Sequence, residues 1–222
     1  MKFDLNYLLY ITPKILSYLP TTLFIALASM LSACVLGLIL ALMRNTKIKF
    51  LGYFIDIYIS LFRSLPSLVL LFLIYFGLPQ ISALIGNMSA LAAAIIGFTL
   101  KNSAYMAEIF RSGLKSVDRS QLEAGLSIGM SKFQIYKRII LPQAFLNALP
   151  ATGNTFISLI KDTSVAFSLG ITEIFAQAKI LAADSFQYFE TFLVVGAIYW
   201  IVIIIYSYLQ RKLEQKLMKG LT

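Results

Sequence analysis

The sequence predicts an all-α integral membrane protein with five transmembrane helices. Three observations carry that reading: long apolar blocks, a scarcity of charge, and the places where the basic residues fall. Of 222 residues, 59% are hydrophobic and 13% charged, too little charge to cover so much apolar surface in water. A helix needs about 20 apolar residues to cross roughly 30 Å of hydrocarbon, and five segments meet that length. Residues 21–43 carry no charge at all, and 54–78 are interrupted by Arg63 and Pro66. Residues 88–111 hold Lys101 and Glu108 in their second half. Residues 144–169 are rich in polar side chains, and 189–209 carry Trp200 with Tyr199, Tyr206 and Tyr208.

The basic residues orient these spans. Arg44, Lys47 and Lys49 follow the first, and Lys115, Arg119, Lys132, Lys137 and Arg138 follow the third. Arg211, Lys212, Lys216 and Lys219 occupy the tail, whereas 79–87 hold no basic residue and 170–190 only Lys179. Positive loops stay in the cytoplasm, so the N-terminus is expected outside and the C-terminus inside. The formal charge of +9 is thereby explained without a nucleic-acid partner. There is no His and one Cys, Cys34, inside an apolar block. That excludes a disulfide framework, a Cys/His metal site and imidazole catalysis. The first twenty residues lack the pattern of a removable signal peptide, and no internal repeat divides the chain. Residues 1–222 read as one transmembrane domain.

Residues 116–142 run SVDRSQLEAGLSIGMSKFQIYKRIILP. Asp118 is placed to cap one helix and Ser131 a second, through Ile139, with Gly129 offering the turn between them. Two short helices at a corner suit docking into a groove on a partner; periodicity alone equally allows a solvated pair at the membrane interface.

The spacing adds more. Glu123, Ala124 and Gly125, then three residues, Gly129, nine residues, and Ile139, Leu141 and Pro142 resemble the signature loop of ABC-importer permeases. There the pattern is Glu-Ala-Ala, three residues, Gly, nine residues, Ile-x-Leu-Pro. Gly125 departs from it and is expected to loosen the first helix slightly. The run from Phe62 to Pro66, the run from Ala104 to Gly113 and the run from Asn154 to Ser164 resemble the polar amino acid branch of that family. Ser64 and Leu65 depart from the branch's usual Phe-Arg-Gly-Thr-Pro. The resemblance implies a type I importer fold, a bacterial cytoplasmic (inner) membrane location, and a loop whose coupling helices sit in a cleft of the ATPase. It further implies an ATPase subunit dimer, an extracytoplasmic solute-binding protein and a second permease copy, identical or closely related. The chain has no phosphate-binding Gly-x-x-x-x-Gly-Lys-Ser/Thr loop, so ATP and magnesium are expected on the ATPase and no cofactor on this chain.

Charges inside spans cost about 2.5–3.5 kcal/mol each on insertion scales. Asn147, Ala151, Asn154, Thr155, Ser158 and Asp162 fall at steps of three and four, so they share one helix face. That face lines either a watery path or a polar contact between helices. Asn154, Thr155, Ser158 and Asp162 are the candidate substrate path, with Asp162 answering a substrate ammonium. Arg63, Pro66 and Glu108 are candidate gate elements, Arg63 either snorkelling or pairing with Glu108. At least one of Lys101, Asn102 and Ser103 is expected to face the interior. Arginine and lysine importers of the branch carry an acid seven positions before this Asp, where Thr155 stands here. The runs around Lys161–Asp162, Glu173–Ile180 and Tyr199–Trp200 are most similar to cystine permeases, so cystine is the expected solute and glutamine or another neutral polar amino acid the runner-up. The alternative from another class is an ion-coupled carrier without an ATPase, which the missing repeat disfavours.

Overall fold

The structure, a computed structural model, describes residues 3–44, 46, 48–81 and 88–219, and among these every regular element is a helix. Lys47 and residues 82–87 of the expected outer loop lie outside the described residues. In chain order the helices are α1 Leu5–Leu16, α2 Leu19–Arg44, α3 Lys49–Ser64, α4 Ser67–Phe72 and α5 Leu78–Ile81. They continue as α6 Ala90–Lys115, α7 Arg119–Ser127, α8 Lys132–Ile135, α9 Leu141–Asp162, α10 Ile174–Ser185 and α11 Tyr188–Met218. By length and composition α2 and α11 can each cross a membrane alone. Two bent pairs reach the same standard together: Lys49–Ser64 with Ser67–Ile81, and Lys132–Leu169 with Ile174–Ser185. Helix α6 has 26 residues, but Lys101, Asn102 and Ser103 at its middle dilute its apolar character.

The expected single span over 54–78 is corrected by a 110° bend between Ser64 and Ser67. The cause is local. Leu65 precedes a proline and is extended, with φ −73° and ψ 130°, because the proline ring disfavours α geometry in the residue before it. Two other prolines act more gently. Leu73–Gly77 and Tyr136–Ile140 are single π turns, each two residues ahead of Pro79 or Pro142. A proline gives no N–H to the ladder, and the preceding residue bonds one position further back: Leu78 to Leu73, Leu141 to Tyr136. The expected second loop helix therefore does not end at Ile139. It runs through the π turn into α9, which tightens to a 3-10 helix at Thr163–Leu169.

Two helices were not expected. Asp4 caps α1 by accepting from the backbone N–H of Asn6 and Tyr7. Ile11 and Ile15 of α1 are fully buried and pack with Ile174, Ala178, Val194 and Val195. Helix α10 occupies the middle of the expected loop over 170–190, capped by the fully buried Glu173, which accepts from Phe175 and Ala176.

The core lies where α2, α6 and α9 cross, around Ile25, Met30, Leu71, Phe98, Met106 and Leu159. The α2–α6 crossing is close because Gly37 lacks a side chain. A Cβ there would stand 2.5 Å from Met106 Cβ and 2.9 Å from the Ser103 carbonyl. Small residues let membrane helices approach this way. Leu27, Leu31 and Val35 of α2 and Trp200, Ile201 and Ile205 of α11 remain exposed, the surface lipid or a second chain would cover.

Candidate functional site

Three helices bring charge together in the membrane-length part of the chain. Lys101 comes from the middle of α6, Ser67 from the start of α4 and Asp162 from the end of α9. The Lys101 Nζ donates to Ser67 Oγ at 2.5 Å, and Ser67 Oγ donates to Asp162 Oδ2 at 2.9 Å. Lys101 and Asp162 also form an ion pair at 3.5 Å. A hydroxyl between the two ions satisfies both at once, which is what lets the pair persist where unpaired charge is costly.

Lys101 and Asp162 open onto a cavity of about 290 Å³ lined also by Asn102, Tyr105, Asn154, Thr155, Ser158 and Leu159. The four expected path residues thus share one cavity. Asn154 and Ser158 are exposed to it, while Phe156 and Ile160 on the opposite face of α9 are buried. Of the three mid-span residues on α6, Lys101 faces Asp162. Asn102 is buried and donates to the Phe98 carbonyl; Ser103 turns to the Tyr58 hydroxyl on α3 at 2.7 Å. Asn147 is on the same face as Asn154 but stands apart, donating to Ser116 Oγ at 2.7 Å and so tying α9 to the end of α6. Ser67 and Tyr105 are the site residues that sequence reasoning missed. Tyr105 lines the cavity and Ser67 stands behind it, bonded to Lys101 and Asp162; both are brought there only by tertiary contacts, and a serine after a proline carries no chemical signal of its own.

The candidate gate residues surround the same elbow without pairing with each other. Arg63 sets its guanidinium over the Tyr105 ring, 5.3 Å from the centroid. The Tyr105 hydroxyl donates to the Arg63 carbonyl at 3.4 Å. Glu108 is taken by Arg111, one turn further along α6, and Arg44 pairs with Asp56 between α2 and α3. Pro66 forms the break itself.

The loop at 116–142 folds as a two-helix corner. Asp118 caps α7 through the Ser120 N–H at 2.9 Å; the backbone and then the hydroxyl of Ser120 hold its carboxyl below the usual carboxylate range. Ser131 and Gln134 make a reciprocal capping box on α8. Gly129 has φ +80°, the left-handed conformation a glycine tolerates, and the Met130 N–H reaches back to the Gly125 carbonyl at 3.0 Å. Gly125 does more than loosen α7: a Cβ there would lie 2.7 Å from Ile135 Cγ1, so the bare backbone admits the fully buried Ile135 of α8. Glu123 and Ala124 are exposed on the outer side of the corner. Glu123 borders a cavity of about 740 Å³ that also touches Arg111, Lys115 and Arg119. Ile139 lies within the π turn, and Leu141 and Pro142 open α9. No group of His, Cys, Asp and Glu fit to hold a metal occurs among the described residues.

An all-helical chain with membrane-length apolar helices, an ion-paired cavity between them and a capped two-helix corner has the build of the membrane part of a transport system. The chain belongs to the family described as "Binding-protein-dependent transport system inner membrane component", which matches residues 33–219. Among its relatives is the probable amino-acid permease protein YxeN of Bacillus subtilis (strain 168), 55% identical over 97% of this chain and 96% of that one. The L-cystine transport system permease protein TcyL of the same organism is 38% identical over 99% of this chain and 94% of its own length. The solved amino acid ABC transporter with histidines superposes with a TM-score of 0.88 at 34% identity, covering 97% of this chain and 100% of that one. Membership makes the chain a multi-pass inner-membrane component working with a binding protein, and not an enzyme in its own right.

Proposed function

We propose that this chain is the permease subunit of an ATP-driven importer for a zwitterionic amino acid, with L-cystine as the leading solute. The observation that carries the reading is the Lys101–Asp162 pair, 3.5 Å apart and facing a cavity of about 290 Å³. An α-amino acid brings one ammonium and one carboxylate. Inserted between the two side chains, it gives each a charge-assisted partner and keeps the site neutral. A dicationic solute would leave its side-chain charge unanswered, because Thr155 rather than an acid stands beside Asn154. Cystine has two amino-acid heads. One chain answers one head, and a second permease copy, identical or related, would answer the other. The similarity to TcyL supports cystine; glutamine or another neutral polar amino acid is the runner-up.

In this reading the chain crosses the membrane five times, as α2, the bent α3–α5 segment, α6, α9 and α11, with the N-terminus outside and the C-terminus inside. The corner formed by α7 and α8 docks into an ATPase dimer, which holds ATP and magnesium. Glu123 and Ala124 present its outer side, Gly125 and Gly129 shape it, and Ile139, Leu141 and Pro142 join it to α9. An extracytoplasmic binding protein delivers solute, ATPase closure moves the corner, and the elbow at Arg63 and Pro66, with Glu108 below it, gates the path.

Uptake of labelled cystine in cells lacking this permease, complemented with native chain, Asp162→Asn or Glu123→Arg, tests the proposal. Native chain restores uptake that arginine does not compete away. Asp162→Asn raises KM about tenfold to a hundredfold, the worth of a charged hydrogen bond. Glu123→Arg abolishes uptake with the protein still inserted. Normal KM in Asp162→Asn would remove Asp162 from the path, and glutamine-competed uptake would move the solute to the runner-up.

A further inference from the structure

The break between α3 and α4 has no backbone bond to stiffen it. The last bond of α3 is from the Leu65 N–H to the Leu61 carbonyl, and the first of α4 is from Leu70 to Pro66. Among the described residues no backbone hydrogen bond crosses from one side to the other, and Pro66 has no N–H to offer. The 110° angle is therefore held by side chains, and the two nearest grips both come from the solute cavity. Before the break, the Tyr105 hydroxyl holds the Arg63 carbonyl and its ring lies under the Arg63 guanidinium. After it, Ser67 is clamped between Lys101 and Asp162. Lys101 and Tyr105 are one turn apart on α6, so a single helix face grips the elbow on both sides.

Resting on the proposal that solute enters between Lys101 and Asp162, we propose that the Arg63–Ser67 elbow is an occupancy sensor, and that Ser67 and Tyr105 are its positioning residues. Ser67 accepts from Lys101 and donates to Asp162, which locks α4 at its angle to α3. A solute ammonium on Asp162 and a carboxylate on Lys101 take both of its partners. The grip beyond the break is released, while Tyr105 still anchors the end of α3. Helix α4, which packs with α6 and with the 3-10 segment after Asp162, is then free to change its angle. Occupancy becomes a movement of the elbow without any contact between solute and hinge.

The test uses the complete transporter, with ATPase and binding protein, in lipid nanodiscs, and compares native chain with Ser67→Ala, Ser67→Thr and Tyr105→Phe. The readout is the ratio of ATPase rate with solute-loaded binding protein to the rate without it, read beside KM for uptake. Losing one grip shifts the elbow equilibrium about fivefold, the worth of one hydrogen bond. In Ser67→Ala the unstimulated rate rises about fivefold and the stimulation ratio collapses towards one; Ser67→Thr, which keeps the hydroxyl, restores the native ratio. Tyr105→Phe frees the other side of the elbow and lowers the stimulated rate, leaving the unstimulated rate low. A purely structural role would lower both rates together in Ser67→Ala and leave their ratio native, which overturns the sensor. Asp162→Asn separates the two proposals. If it spares KM, the solute reading fails. If it raises KM while the Ser67→Ala ratio stays native, that reading stands and the sensor falls.

Discussion

Replacing Gly125 by alanine sets two opposed effects against each other in the corner between α7 and α8. Helix propensity alone favours the change, since alanine is about 1 kcal/mol better than glycine inside a helix. Packing opposes it. The new Cβ would stand 2.7 Å from Ile135 Cγ1 and 2.8 Å from Cδ1, well inside contact distance, and Ile135 is fully buried. A β-branched side chain has few rotamers to retreat into, so α8 itself must move out. Overpacking of this kind costs about 1–3 kcal/mol, leaving a net loss of up to about 2 kcal/mol after the propensity gain.

The assay is the solute-stimulated ATPase of the assembled transporter, with thermal unfolding in detergent as the stability control. Gly125→Ala is expected to reduce stimulation several-fold while the complex still assembles. Ile135→Ala leaves a cavity and lowers stability. In the double variant the new methyl enters that cavity, so the two changes are expected to be less harmful than their sum, by about 1 kcal/mol or more in a double-mutant cycle. Gly125→Ala as active as the native chain, with no coupling to Ile135, would refute the packing argument and leave propensity as the only effect at this position.

Two further outcomes follow from the same geometry. Gly37→Ala places a Cβ 2.9 Å from the Ser103 carbonyl and 3.0 Å from the Ala107 nitrogen, backbone atoms of α6 that cannot swing aside. It is expected to destabilise by about 1–3 kcal/mol, seen as a lower Tm in detergent; an unchanged Tm would mean that α2 and α6 cross less tightly. Asn147→Ala removes the bond to Ser116 without touching the cavity, so uptake should keep its KM and lose only maximal rate. A raised KM would place Asn147 on the path.

What the sequence made legible was what depends on local pattern. Asn154, Thr155, Ser158 and Asp162 of α9 reach one cavity because helical spacing is reliable over a few turns. The caps at Asp118 and Ser131 are where their side chains had to be, since a short polar residue ahead of a helix satisfies its free N–H groups. Helix α1, at 12 residues, is too short to show as a span; the Asp4 cap and the packing of Ile11 and Ile15 against α10 and α11 give it a reason to form. Pro66 was legible as an interruption and its angle was not, because a proline forbids one geometry without choosing among the others. Ser67 lies 34 positions from Lys101 and 95 from Asp162, separations over which no periodicity speaks. The same holds for Gly125, whose role appears only once Ile135 is set against it.

The proline positions also bear on how a push at the corner would reach the solute. From Lys132 to Leu169 the chain is helical without interruption, so the corner and Asp162 are opposite parts of one rod. An intact helix transmits displacement along its axis, and the places where it yields are those where its hydrogen-bond ladder is altered. This rod has two. The π turn at Tyr136–Ile140 lies directly beside the corner. Pro150 leaves the Leu146 carbonyl without its usual donor, and three residues on a Cβ at Gly153 would meet the Gln210 amide at 2.0 Å, so α11 leans on α9 where the ladder is weakest. Between Gly153 and Asp162 no proline or glycine intervenes. Movement of the corner would thus bend the rod between the corner and Gly153 and carry Asn154, Ser158 and Asp162 together as one stiff face. Under the proposed function, a cavity that presents its polar residues in register to a solute needs that rigidity, and a coupling corner needs the compliance beside it.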